Sequence, residues 1–571
     1  MAKQIKVFGA SQRVNHPVEV EAFLRQLVAE PPKSGKKLEQ QKYLFSAGTQ
    51  IPTIQNRDLI AIARKQDIDM PASLEKLLQK RSVRTISGVS PIGILTKPYP
   101  CPGRCVYCPT EDRMPKSYMS NQPAAARAVR NNFHPYRQVF NRLTALQESG
   151  HPTSKLEIIV MGGTWSFLPH RYQSWYLKKC YDAANEFGLT SEQKKAYRTK
   201  ATTLKKSQTW NETADHRIIG LTLETRPDFI NERELVRMRR YGCTRVEIGV
   251  QTLNDDIQRL TKRGHSRKHV VKAMKLMKDF GFKVCWHLMP GLPGSTPEND
   301  LEWMKEVFSN SDMRPDFIKI YPCVVLETAE LKEWWERGEY VPYHDDDLVK
   351  LLTQFQTFVP EWTRIMRLMR DIPVSNILDG AKFSNLRQIL KDQPEKLRAL
   401  VGDKFYDEHN LAETSYVFRD IRAREVGFAD FDKNPALLTK TPVLVRRDYE
   451  ASEGQEVFLS FEDEEQEHLF ALLRLRKPSG AEFKHYGAAL KNAAFIREVH
   501  TYGGEISVGD SVEGLGQHRG LGRKLIEAAE QIVKEEWGMD KISIIAGIGT
   551  REYYRKWGYE EISTYMVKRL K

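Results

Sequence analysis

The sequence predicts an α/β protein: a partial, TIM-like (βα)6 barrel followed by a smaller α+β domain, behind a basic helical N-terminal segment. Three observations carry this reading. Six short apolar runs recur at intervals that leave room for a helix between successive pairs, the pattern of parallel βα units. Beyond about residue 440 the intervals shorten, and a glycine-containing turn opens a helix. At 571 residues the chain exceeds one ordinary domain. The expected divisions are 1–85, the barrel at 86–370, a linker at 371–440 and the second domain at 441–571.

The N-terminal segment is the most basic part. Residues 1–90 hold fifteen Lys/Arg against eight acids, a net +7 and half of the chain's formal +14. Such a face suits a polyanion, because lysine and arginine displace counterions from phosphates. It equally suits a plain solvated surface. No apolar run is long enough to span a bilayer and no signal-peptide pattern opens the chain, so a cytoplasmic protein with no membrane partner is expected.

Seven cysteines, odd in number and unevenly spread, argue against a disulfide framework. Three fall within eight positions, Cys101-Pro102-Gly103-Arg104-Cys105-Val106-Tyr107-Cys108. A tight loop at this spacing can aim three thiolates at one metal centre. A closed zinc site wants a fourth ligand, and His134 lies 26 positions on. Three ligands also suit a [4Fe–4S] cluster with one iron left open. Spacing alone leaves both readings standing.

The barrel strands are predicted at Ile92–Leu95, Leu156–Met161, Ile218–Leu223, Arg245–Val250, Lys283–Leu288 and Phe317–Ile320. Val270, Val271, Met274, Met277 and Phe280 recur at helical spacing, and Gly281 stops that helix. In barrel folds, active groups sit at the C-terminal strand ends. Here those ends carry Gly162-Gly163-Thr164, Glu224-Thr225-Arg226, Gln251, His287, and Lys319 near Tyr321. In the second domain, strands are predicted at Glu456–Ser460, Leu469–Arg476, Ile496–Thr501 and Ile542–Ala546. Between the last two, Gln517-His518-Arg519-Gly520-Leu521-Gly522-Arg523 opens a helix whose free N–H groups suit a pyrophosphate.

The cysteine loop, with an aromatic before its last cysteine, resembles the cluster loop of the radical S-adenosylmethionine enzymes. That resemblance implies a [4Fe–4S] cluster on Cys101, Cys105 and Cys108, and S-adenosylmethionine held by Gly162, Gly163, Thr164, Glu224, Arg226 and Gln251. The Gln517–Gly522 pattern resembles the acetyl-CoA loop of the GNAT acetyltransferases. Both halves in this order resemble the catalytic-subunit family of Elongator, supported by Glu224–Asp228, Tyr241–Gln251, Arg419–Gly427, Arg446–Tyr449 and Arg497–Gly503.

This resemblance implies acetyl-CoA contacts at Lys155, Glu498, Val499, His500, Thr501, Gln517, Gly520, Leu521, Gly522, Arg523 and Tyr554, with Lys155, Tyr553 and Tyr554 as catalytic candidates. It implies tRNA as partner and leaves other Elongator subunits or self-association open. The implied chemistry is hydrogen abstraction from the acetyl methyl by a 5′-deoxyadenosyl radical, addition to uridine 34, and thioester hydrolysis to 5-carboxymethyluridine. The rival is a protein lysine acetyltransferase using the C-terminal domain alone. No cysteine follows Cys323, so a linker zinc site is not expected.

Overall fold

A computed structural model describes residues 14–49, 51–52, 54–79, 88–382, 394–409, 418–428, 440–482, 484–485, 487–502 and 520–570. Its first sheet is parallel throughout and open. The strands are β1 (Ser90–Leu95), β2 (Lys155–Met161), β3 (Arg217–Thr225), β4 (Arg245–Gln251), β5 (Lys283–Leu288), β6 (Phe317–Ile320) and, past a short β7 (Val325–Leu326), β8 (Arg364–Arg367). All six predicted strands are there, in sequence order. β8 makes a seventh that the sequence reading missed. Only Ile365 of its four residues is fully buried, so it carries no apolar run. The residues Ile377–Asp379 form β9, which pairs only with β7.

Alternation sorts the strand side chains. Leu156, Ile158 and Val160 of β2 join the large core shared with the covering helices. The opposite face points into the barrel and is ionic: Glu157, Glu224, Arg245, Glu247, His287 and Lys319. The predicted helical stripe lies on Arg267–Asp279, with Val270, Met274, Met277 and Phe280 buried, and Gly281 beyond it has φ +78°.

The second sheet is β10 (Val443–Ala451), β11 (Gly454–Glu462), β12 (Leu469–Lys477), β13 (Ala494–Thr501), β14 (Lys541–Ile544), β15 (Glu560–Ile562) and β16 (Tyr565–Arg569), in the order β10-β11-β12-β13-β14-β16-β15. It is the α+β sheet expected of an acetyltransferase domain, with β10, β15 and β16 added to the predicted strands. β10 hid because alternate charges (Arg446, Arg447, Asp448, Glu450) break its apolar signal. Helix Leu521–Gln531 covers one face and buries Leu521, Leu525, Ile526 and Ala529. The other side contributes Phe495, Ile545, Tyr565 and Val567 to the barrel's own core.

The second sheet closes the N-terminal end of the barrel. Gly547 and Gly549 press on the start of β3, where any Cβ would collide with Ile219 or Arg217. Fully buried ionic groups knit the two units. Asp316 accepts two hydrogen bonds from Arg497, at 2.6 and 2.7 Å, and Asp279 accepts two from Arg476, at 2.5 and 3.0 Å. Glu456 bridges Lys278 (3.3 Å), Arg476 (3.0 Å) and Arg497 (2.8 Å). Buried charges are tolerated only when paired in this way.

The N-terminal helices Pro17–Ala29, Gly35–Thr49, Asn56–Lys65 and Ala72–Leu78 pack on a core of their own, including Phe23, Leu27, Leu59 and Leu74. Arg25, Lys33, Lys36, Lys37, Arg57, Lys65 and Lys76 face solvent. No described helix is long and apolar enough to cross a membrane.

Candidate functional site

The cysteine loop lies at the C-terminal end of β1 and is pinned from outside. Val106 N–H donates to Thr261 O, Leu331 N–H to Val106 O, and Cys108 N–H back to Cys105 O. The sulfurs of Cys105 and Cys101 lie 3.6 and 3.8 Å from where a Cβ on Gly103 would stand, so both flank one point. Arg263 Nη1 donates to Cys105 Sγ at 3.5 Å, while Nη2 donates to Gly249 O at 2.6 Å. Burial alone pushes the Cys105 thiol up, but the Arg263 guanidinium overrides this and leaves it lowered. Burial, then the neighbouring Cys105 charge, drives Cys108 up to about 11. Two adjacent thiolates repel until a shared cation joins them, the chemistry of a cluster loop.

The opposite wall offers unspent polar groups. Arg226 is clamped by Asp228 through two 2.9 Å hydrogen bonds, yet its Nη1 is buried without a hydrogen-bond partner and sits 2.6 Å from the Gly103 Cβ position. Gln251, at φ +72°, has a buried, unpartnered Oε1. Glu224 accepts from Tyr118 OH at 3.0 Å and lies 4.0 Å from Lys319 Nζ. Buried polar atoms left unpaired cost about 1–3 kcal/mol each, so a polar ligand here is favoured.

Gly162 and Gly163 close this wall with φ +123° and +81°. Any Cβ at Gly162 would strike Thr96 Oγ1, whereas nothing lies within 4 Å of one at Gly163, which leaves room for a ligand. With Gly162 and Gly163 as the S-adenosylmethionine holders that the sequence resemblance implies, Gly162→Ala is expected to weaken that binding about 5- to 150-fold, from 1–3 kcal/mol of backbone strain. Calorimetric titration checks this.

Deeper in the barrel, Glu247 Oε2 lies 2.7 Å from His287 Nε2 and pairs with Lys319. Burial would raise its carboxyl, but Lys319 and His287 hold it well below the carboxylate range. Glu247, Cys285 and His287 bring one ligand atom each within 4.8 Å of one another. The Lys319 ammonium already supplies the cation there.

The acetyl-CoA candidates gather elsewhere. β13 pairs with β14 only from Ala494 to Ile496, so the β14 ladder stops before the rest of this edge of β13. Glu498, Val499, His500 and Thr501 lie on that edge. Glu498 accepts from Arg474 Nε at 2.8 Å and lies 3.9 Å from Lys283 Nζ at the start of β5. His500 Nε2 is buried and unpartnered, and burial lowers its pKa, which keeps the ring neutral. Gly520 takes φ +65° at the head of helix Leu521–Gln531.

A Cβ on Gly522 would lie 3.5 Å from Thr501 Cγ2, 3.6 Å from Tyr553 OH and 3.9 Å from Val499 Cγ1, so three distant segments converge there. Of the two tyrosines, Tyr553 presents its hydroxyl to this point. Tyr554 packs in the second core, 6.1 Å from Tyr559. Arg523 lies over Trp557 at 4.2 Å and keeps a buried, unpartnered Nη1. Gln517 lies outside the described residues.

Lys155 stands at the first position of β2, in register with Arg217, against which Gly549 packs. It is thus at the opposite end of its strand from Gly162, about 20 Å away at 3.3 Å per residue. The structure gathers the cysteines, Gly162, Gly163, Thr164, Glu224, Arg226 and Gln251 at one barrel end. Lys155 and the β13 edge fall at the other. Arg263 and Tyr118 were missed in the sequence, since neither belongs to a spaced motif and only folding brings them to Cys105 and Glu224.

An open parallel barrel with three thiols on its first β–α loop defines a radical SAM enzyme, here joined to a second, acetyltransferase-like sheet. The Radical SAM superfamily model matches residues 99–307, and the Radical_SAM C-terminal domain model residues 315–396. That family implies a [4Fe–4S] cluster and S-adenosylmethionine. The chain is 41% identical over 502 residues to the tRNA uridine(34) acetyltransferase of Methanocaldococcus jannaschii, covering 86% of this chain and 87% of that one. It is 38% identical to human Elongator complex protein 3, covering 86% of each. The solved structure of archaeal Methanocaldococcus infernus Elp3 with an N-terminal deletion superposes with a TM-score of 0.68 at 39% identity, covering 85% of this chain and all of that one. The chain belongs to the family of tRNA uridine(34) acetyltransferases and Elongator complex protein 3.

Proposed function

We propose that this chain modifies uridine 34 of tRNA to 5-carboxymethyluridine, with acetyl-CoA as the carbon donor. The observation that carries the reading is the placement of Glu498: its carboxylate lies 3.9 Å from Lys283 Nζ at the start of β5, so the acetyl-CoA candidates on β13 adjoin the barrel. In this reading Cys101, Cys105 and Cys108 hold the cluster, and Gly162, Gly163, Thr164, Glu224, Arg226 and Gln251 hold S-adenosylmethionine. When bound, these cofactors supply a 5′-deoxyadenosyl radical.

The chain's own residues bind, orient and shield. Beyond the end of the β14 ladder, the backbone from Glu498 to His500 offers donors and acceptors to the amide-bearing arm of acetyl-CoA. The first N–H groups of helix Leu521–Gln531, with its positive end and Arg523, receive the pyrophosphate. Lys155 adds a cation where the acetyl end enters the barrel. Burial raises the Tyr553 phenol, so it stays protonated at neutral pH and donates to the departing thiol sulfur. An anticodon base is accessible without opening a duplex.

The division at 1–85, 86–370, 371–440 and 441–571 gives the basic helices the part of a tRNA clamp. Replacing Lys33, Lys36 and Lys37 by alanine is expected to flatten the plot of log affinity for tRNA against log salt by up to about three phosphate equivalents. Filter binding across salt concentrations reads this directly; an unchanged slope would remove the clamp.

The lysine acetyltransferase reading uses the C-terminal domain alone and gives Cys101, Cys105 and Cys108 no part. The decisive test reconstitutes the protein anaerobically with S-adenosylmethionine, acetyl-CoA, reductant and tRNA. Carboxymethyluridine among the nucleosides is the expected result. Lysine acetylation without any carboxymethyluridine would overturn the proposal.

A further inference from the structure

Three aromatic side chains meet at the rim of the cysteine end, and nothing above uses them. Tyr99 precedes the cysteine loop, Phe167 follows Gly162-Gly163-Thr164 in the turn Trp165–Phe167, and Phe229 follows Arg226 in the turn Pro227–Phe229. Their ring centroids are 6.1 Å (Tyr99–Phe167) and 6.0 Å (Phe167–Phe229) apart, both edge-on. Three separate β–α connections thus contribute one ring each to a continuous cluster. Tyr99 packs against the barrel's core and Phe229 is half-buried, whereas Phe167 is 41% exposed and forms the open face of the cluster. The Arg226 guanidinium lies 5.9 Å over the Phe229 ring and also reaches the Gly103 turn, so the cluster adjoins the cofactor wall.

A contiguous cluster of rings with one exposed face is a surface that a partner can cover. The surroundings state which partner. Lys97, Arg104 and Arg171 are exposed on the same connections or one turn beyond. Aromatic faces interleaved with cations are the surface that single-stranded nucleic acid recognises, its bases stacking while its phosphates pair. The rim position narrows the occupant further. The reacting base has to pass inward beyond Gly163 toward the buried thiols, so a platform at the lip holds a neighbour of that base.

Building on the tRNA reading above, we propose that Tyr99, Phe167 and Phe229 form a stacking platform for an anticodon-loop base flanking the reacting uridine, with Phe167 as its exposed face. The platform splays the loop so that one base is directed into the barrel. Phe167 is here a positioning residue.

Phe167 is exposed, so Phe167→Ala should leave the fold intact, as unchanged thermal unfolding would register. The holoprotein is titrated with an anticodon stem–loop RNA carrying 2-aminopurine at each base flanking the uridine. The expected results are an approximately 5- to 150-fold rise in Kd, the range for one lost base–aromatic stack, and loss of fluorescence quenching at one flanking position. The salt slope should stay unchanged, whereas Lys97→Ala or Arg171→Ala should lower it. Phe167→Trp should restore both affinity and quenching.

An unchanged Kd would overturn the platform. So would weakened S-adenosylmethionine binding in the absence of RNA, which would assign the rings to the cofactor's adenine. Carboxymethyluridine formation by the wild-type protein is scored separately, so failure of the parent reading is distinguishable from failure of the platform.

Discussion

Cys105→Ala protein, reconstituted anaerobically, is expected to retain no [4Fe–4S] cluster and to lose carboxymethyluridine formation by at least about a thousandfold, because the cofactor carries the bond-making chemistry. Cys105 is the thiol to choose, being buried and the one to which Arg263 donates. Its removal takes away a metal ligand and also strands the buried Arg263 charge, so the loop loses the reason for its shape. Iron content, visible absorption and released 5′-deoxyadenosine report the outcome together. Cys285→Ala serves as the control, since this thiol lies on β5 outside the loop and burial raises it. Stoichiometric iron in Cys105→Ala, with turnover preserved, would sink the ligand assignment.

The second large effect is on stability. Asp316→Ala leaves Arg497, Lys278 and Arg474 facing an uncharged gap, at 2.6, 3.5 and 3.7 Å from the carboxylate that balanced them, and Val284 N–H loses its acceptor. Removing one partner of a buried ionic network costs about 3–5 kcal/mol. Denaturant unfolding should register that loss, and Asp316→Asn should lose less because its amide oxygen still accepts from Arg497.

The same groups set an acid limit. Burial would raise Asp316 and Glu456, but Arg497 foremost, with Lys278, holds both below their unfolded values of 3.8 and 4.5. A depressed folded pKa contributes stability that is complete above the unfolded pKa and lost as pH falls. Stability should therefore decline below about pH 4.5, and less steeply in Asp316→Ala, which has already forfeited its share. An identical acid limb in wild type and variant would argue against the assignment.

Strand positions, the three-cysteine loop, the glycine pair after β2 and the helix opening at Leu521 were all legible in the sequence. Each is a local matter: apolar periodicity, ligand spacing or backbone freedom within a few residues. β8 and β10 were not legible, because charged residues interrupt the apolar pattern of each. Arg447 illustrates this: it pairs with Glu462 at 2.8 Å across the sheet, and in the sequence reads as a surface residue.

The tertiary structure alone decided the larger questions. Lys278, Asp279, Asp316, Glu456, Arg476 and Arg497 look like solvated charges until folding brings together partners up to 197 positions apart. Burial in so low a dielectric is affordable only with every charge matched, and no sequence pattern announces that match. The predicted strand Leu156–Met161 already set Lys155 and Gly162 at opposite ends of β2. What only the fold decided is that the second sheet packs over the Lys155 end, where Gly549 presses on Arg217, because that contact joins segments far apart in sequence.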